Sequence, residues 1–199
     1  LREALQATVA QLETALAIQA PNGQPVTRPA GADAQTAKKP GTPPPTVPKA
    51  KTVPGPLSDP LPPDWIRIRP DTRGTVVSLQ DSVLFAPGEA ELGPVARQAL
   101  LRLGQALNKQ KALIRVEGHT DTVPIRNGRY ASNWELSTAR ATAILRFLAE
   151  QAGIPPQRLS AAGYGQFRPL AANSTIEGKR KNLRVDIVVL NETWASLEP

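Results

Sequence analysis

EGHTDTVPIRNGRYASNWELSTARA, residues 117–141, is the stretch on which the fold turns. It begins as a strand that ends in Gly118-His119-Thr120-Asp121 and passes into a polar loop. A helix then opens at Asn133-Trp134-Glu135-Leu136-Ser137 and carries Arg140 on its flank. Ser132 with Glu135 three residues later forms a capping box, and Asn133 is a second candidate for the N-cap. At about 100° per residue, Ala141, Ile144, Leu145, Leu148 and Ala152 fall in one apolar arc, while Glu135, Arg146 and Glu150 lie opposite. Arg140 is the one charge beside that arc, between Leu136 and Ile144. A guanidinium there is partly desolvated and needs a carboxylate, from the protein or from a ligand. Asp121 and Arg140 thus stand at the two ends of one loop, either pairing with each other or gripping a ligand of both charges.

The surrounding pattern is strand and helix in alternation. Ile66–Leu84 reads as a short strand, a turn at Pro70-Asp71 and Gly74, and a longer strand through Val76, Val77, Leu79, Val83 and Leu84. Phe85-Ala86-Pro87-Gly88 breaks it. A helix covers Pro94–Asn108, with Val95, Ala99, Leu101, Leu103 and Leu107 on its apolar side. Residues 112–117 and 159–162 read as strands, the helix from 133 ends near Gly153 and Pro155, and Leu183, Val185, Ile187 and Val189 mark one face of a last strand. This predicts an α/β (α+β) domain over residues 64–199, a β-α-β-α-β-β mixed sheet with helices on one face. Ahead of it, Leu1, Leu5, Val9, Leu12 and Leu16 predict an amphipathic helix over 1–20. Residues 21–63 hold 13 of the 21 prolines and few large apolar residues, which predicts a flexible linker with polyproline II bias.

Composition narrows the chemistry. The chain has 199 residues, begins at Leu1 and contains no Met, so upstream sequence is expected, with room for a signal or membrane anchor. It has no apolar run of the ~18 residues that a membrane helix needs. Without Cys there is no disulfide and no thiolate metal site. The net charge of +7 suits a polyanionic partner or simply a solvated basic surface. Scattered cations and 4% aromatics speak against nucleic acid. His119 is the only histidine, and neither a nucleophile elbow nor a phosphate loop is present. A catalytic centre, a metal site or a bound cofactor is therefore not expected, and His119 reads as a structural residue that hydrogen-bonds at the strand–loop junction.

Taken in order, Phe85-Ala86-Pro87-Gly88-Glu89-Ala90-Glu91-Leu92, Gly118-His119-Thr120-Asp121, Asn133-x-x-Leu136-Ser137-x-x-Arg140-Ala141 and the segment from Gly163-Tyr164-Gly165 to Arg184-Val185-Asp186 resemble OmpA-like peptidoglycan-binding domains. Val123-Pro124-Ile125-Arg126 in a lengthened loop is similar to the flagellar stator branch, the MotB and MotD proteins. The resemblance implies a non-enzymatic periplasmic anchor. Asp121 and Arg140 would hold the ammonium and carboxylate of diaminopimelate in a peptide stem. Asn133, Leu136, Thr120, Phe85, Ala86 and Gly88 would complete the pocket. It further implies a homodimer and a MotA-type partner reached through a membrane helix upstream; an outer-membrane anchor of OmpA or Pal type is the alternative. Lys179 stands where many relatives have Arg, and Leu183 separates Asn182 from Arg184.

Overall fold

The computed structural model describes residues 65–197; the helix read over 1–20 and the linker over 21–63 lie outside the described residues. Five strands form one sheet: β1 (Ile66–Asp71), β2 (Gly74–Gln80), β3 (Ile114–His119), β4 (Leu159–Gly163) and β5 (Arg184–Leu190). Their order is β1-β2-β5-β3-β4, with β3 and β4 parallel and the other neighbours antiparallel. The sheet is mixed because β1 and β2 form a hairpin, whereas β3 reaches β4 through a helix on one face. That helix is α3 (Asn133–Glu150), which packs on β3 and β4 and against α2 (Pro94–Asn108). Val77, Leu79, Ile114, Val116, Val185 and Ile187 on the strands meet Leu100, Leu103, Ile144 and Leu148 of the helices in the main core. The residues on the opposite face of the sheet alternate with these, as period two requires.

Two glycines set how closely α3 lies. A Cβ on Gly118 would stand 2.1 Å from the Ser137 carbonyl oxygen, and one on Gly163 would stand 2.2 Å from Thr138 Oγ1. The close approach lets the Gly165 amide donate to Ser137 Oγ at 3.0 Å, which ties the β4 exit to the helix that carries Arg140.

The structure departs from the sequence reading in three places. Val83 and Leu84 do not extend the second strand. They sit in a one-turn helix, α1 (Asp81–Leu84), because the chain leaves the sheet at the end of β2 and closes the Phe85 amide onto the Asp81 carbonyl at 2.9 Å. In α2 the buried face is Ala96, Ala99, Leu100, Leu103 and Leu107; Leu101 is exposed and Val95 only partly covered. Positions 96, 100, 103 and 107 lie in one arc at three- and four-residue spacing, and Leu101 falls one step outside it. A further short helix, α4 (Ile176–Asn182), separates β4 from β5, and α5 (Glu192–Ala195) follows the last strand. Thr175 caps α4 by accepting from the Gly178 amide, a cap that a Lys- and Arg-rich stretch obscured.

Candidate functional site

A cavity of about 400 Å³ opens where β2 and β3 end and α3 begins. Crevices beyond strand ends, next to a helix N-terminus, are the usual place for ligands in such layouts. Of the residues singled out in the sequence, Asp121, Arg140, Asn133, Leu136, Thr120, Phe85 and Gly88 all line this cavity. Ala86 does not; it is exposed, and its carbonyl accepts from the Glu89 amide in the turn that gives Gly88 its φ of 72°.

Arg140 is buried, 2% exposed. Its Nε donates to the Glu89 carbonyl at 2.8 Å, its guanidinium carbon lies 5.2 Å from the Phe85 ring centre, and Nη1 lies 2.8 Å from Asp81 Oδ1. Among the described residues its ion-pair partner is therefore Asp81, not Asp121. Sequence reasoning missed Asp81, since one Asp after a valine-rich strand carries no signal of its own. Its position at the end of β2, opposite an unpartnered Arg beside an apolar arc, was the available hint. Burial pushes the Asp81 carboxyl up to about 6; Arg140 pulls it back and Asp121 adds to the rise. Burial likewise lowers Arg140, against the pull of Asp81.

Asp121 is held differently. Its Oδ1 accepts from the Val123 amide at 2.9 Å in a local turn, and no ion pair engages it among the described residues. The cavity thus presents an anionic carboxylate at one side and a guanidinium at the other, with Arg180 of α4 as a second cation on the wall. Asn133 braces the loop between them. Its Nδ2 donates to the carbonyls of Asp121 and Val123 and to Gln166 Oε1, and its Oδ1 accepts from the Ile125 amide at 3.2 Å. A side chain so occupied shapes the cavity rather than reaching a ligand. Thr120 is similarly spent, donating to the Asp121 carbonyl at 2.9 Å. Farther out, Asn127 Nδ2 donates to the Gly88 carbonyl and Arg129 pairs with Glu89, joining the lengthened loop to the Phe85–Leu92 loop. Ser132 caps α3, accepting from the Trp134 amide and bonding to the Glu135 carboxylate, as the capping pattern predicted. Trp134 stacks on Phe167 at 5.0 Å between ring centres and does not line the cavity.

His119 does not hydrogen-bond as the sequence suggested. It stacks on Tyr164 at 5.4 Å, and neither ring nitrogen has a hydrogen-bond partner among the described residues. Glu117, His119 and Asp186 come together on the sheet face away from α2 and α3, with one potential ligand atom each within 4.8 Å of the others, a grouping invisible in linear spacing. Guanidinium groups fill the surroundings: Arg73 Nη1 stands 2.6 Å from Glu117 and Arg184 Nε 3.0 Å from Asp186. Burial first, then the charge of Arg184, lowers His119 to about 3 and keeps the ring neutral. So positive a shell suits a buried ion-pair network, not a cation site.

Residues 84–183 match the OmpA family. Motility protein B of Bacillus subtilis is 35% identical over 123 residues, covering 60% of this chain and 46% of that protein. Among solved structures, the cell wall anchor of the T6SS from Pseudomonas aeruginosa superposes with a TM-score of 0.61 at 35% identity, over 65% of this chain and 90% of that one. A putative MotB-like protein from Desulfovibrio vulgaris gives 0.61 and 35% over 65% and 80%. The chain spans about half the length of the curated relatives it matches.

Proposed function

The chain belongs to the OmpA family, and from that premise we propose that it is a non-enzymatic peptidoglycan anchor whose cavity holds the free end of diaminopimelate in a peptide stem. The observation that carries this reading is the placement of Asp121 and Arg140 on opposite sides of one 400 Å³ cavity, linked to different protein partners rather than to each other. An α-amino acid end carries an ammonium and a carboxylate on one carbon. Asp121 retains an oxygen for the ammonium, and Arg140, with Arg180 nearby, attracts the carboxylate. Because Arg140 already faces Asp81, the incoming carboxylate competes with a resident one. Leu136, Phe85 and Ile125 supply apolar walls for the methylene chain between the two ends of diaminopimelate.

The likeness to proteins named Motility protein B and MotB supports the flagellar form of this anchor over an outer-membrane one. In that form the domain is periplasmic, works as a homodimer and is joined by an upstream membrane helix to a MotA-type subunit. No helix among the described residues is long and apolar enough to cross a membrane. Co-sedimentation with purified sacculi tests the binding reading. Wild-type chain is expected to pellet, to release no muropeptides, and to be competed off by free diaminopimelate but not by cadaverine, which has the ammonium and methylene chain without the carboxylate. Asp121→Ala is expected to stay in the supernatant while keeping its fold. Normal pelleting of that folded variant would refute the site assignment.

A further inference from the structure

A second cavity, of about 210 Å³, lies on the face of the sheet turned away from α2 and α3. Its charge comes from Arg67 and Arg69 of β1, Lys181 of α4 and Arg184 of β5, and no carboxylate lines it among the described residues. Register explains the gathering. Arg67 pairs across with Ser78, and Ser78 with Asp186, so these three side chains share one face in one row. Gln80 and Arg184 form the next row.

The four cations are not equivalent. Arg184 is spent: Nε donates to Asp186 at 3.0 Å, Nη1 to the Asn182 carbonyl and Nη2 to the Arg168 carbonyl. Arg69 faces Asp71 at 3.2 Å and Asp186 at 3.8 Å. Lys181 meets Glu177 at 2.7 Å on the surface, in an exposed pair that holds it weakly. Arg67 is exposed and has no ion-pair partner among the described residues. A second observation points inward. Ser78 is 9% exposed, and its hydroxyl, on the cavity wall, has no hydrogen-bond partner among the described residues. A buried hydroxyl without a partner asks for one.

We propose that this cavity binds a phosphate ester. A phosphate presents three free oxygens in tetrahedral array and can meet Arg67, Lys181 and the Ser78 hydroxyl together, although these come from three different elements. A planar carboxylate has only two oxygens to offer. Arg184 and Arg69, each already paired with a carboxylate, border the cavity without adding an unpaired charge, so Arg67 and Lys181 carry the binding. The cavity exceeds the size of a bare phosphate, and Trp65, Leu79 and Leu170 give its remaining wall an apolar character suited to the ester's organic part. Such a group is found both in soluble phosphate esters and in the headgroup of an anionic phospholipid.

The cavity adjoins the Asp121–Arg140 cavity at Gln80, which lines both, but shares none of its charged residues, so the proposal stands or falls independently of that site. The test uses the whole 199-residue chain, ¹⁵N-labelled, titrated with glycerol 3-phosphate at constant ionic strength. The chain has three tryptophans, so Trp134 and Trp194 serve as internal references for the Trp65 indole. A saturable shift of Trp65 alone is expected. In the double variant Arg67→Ala/Lys181→Ala, both sites being partly or fully exposed, the dissociation constant should rise about 10-fold or more. Sedimentation with phosphatidylglycerol–phosphatidylcholine vesicles distinguishes the sources. Pelleting that the double variant loses identifies a lipid headgroup, and glycerol 3-phosphate binding without pelleting identifies a soluble ester. The proposal is overturned if Trp65 shows no saturable shift up to about 50 mM, or if the double variant binds as the wild type does.

Discussion

Arg140→Ala separates a ligand residue from a scaffold residue, because the structure gives Arg140 both roles in unequal measure. The side chain is 2% exposed, and its removal deletes the contact to Asp81, the donation to the Glu89 carbonyl and the approach to Phe85. Unit charges about 4 Å apart attract by about 4 kcal/mol at an effective dielectric constant of about 20, before the cost of desolvation. Removing one partner of a buried pair costs about 3–5 kcal/mol, since the other is left charged and dry. Asp81 has an escape, however. Its carboxyl already sits near 6, above the ordinary 3.8, and protonation relieves it. A raised acid contributes stability that is fully present below the unfolded value and lost as pH rises through the folded one. On Asp81 alone that loss is about 2 kcal/mol between pH 4 and pH 7. Without Arg140 the carboxyl rises further, so the variant loses more stability than wild type between pH 6 and pH 8. The expected cost of Arg140→Ala is therefore about 4 kcal/mol at pH 8 and about half of that at pH 5.

Urea denaturation of the wild type, Arg140→Ala, Asp81→Asn and the double variant at both pH values reads this directly. Coupling between the two sites should be about 2 kcal/mol or more at pH 8 and smaller at pH 5. If the coupling stayed below about 0.5 kcal/mol at pH 8, or did not change with pH, the assignment of Asp81 as the partner of Arg140 would be wrong.

Two further outcomes follow from the same geometry. Sacculus binding should strengthen as pH falls from 7.5 to 5.5, because charged Asp81 competes with the ligand carboxylate for Arg140; the gain is several-fold, bounded at about 25-fold if only the neutral form admits ligand. Asp81→Asn should flatten that profile, and an unchanged slope would remove Asp81 from the site. Gly118→Ala should lower stability by about 3 kcal/mol or more and lose wall binding with it, since its Cβ would overlap the Ser137 carbonyl at 2.1 Å and push α3 off the sheet; a normal urea midpoint would mean that the helix can shift without loss.

The strands and α3 were legible because their signals are local. Val185 and Ile187 alternate with Arg184 and Asp186 before the strand runs on through the apolar Val188, Val189 and Leu190, and Ser132 announces the helix three residues before Glu135. The same locality explains what could not be read. Asp121 and Arg140 are 19 positions apart on one loop and helix, so their common cavity could be inferred from two element ends. Asp81 lies 59 residues before Arg140 and meets it only because β2 runs beside β5, which in turn lies beside β3. The Glu117–His119–Asp186 cluster depends on the same adjacency: Glu117 pairs across with Asp186, and nothing in either segment alone reveals it. Periodicity fixes which face a residue takes, but it does not fix which strand lies beside which. The non-local pairings therefore set the electrostatics of the cavity, and with them whether Arg140 is free to grip a ligand or must first release a resident carboxylate.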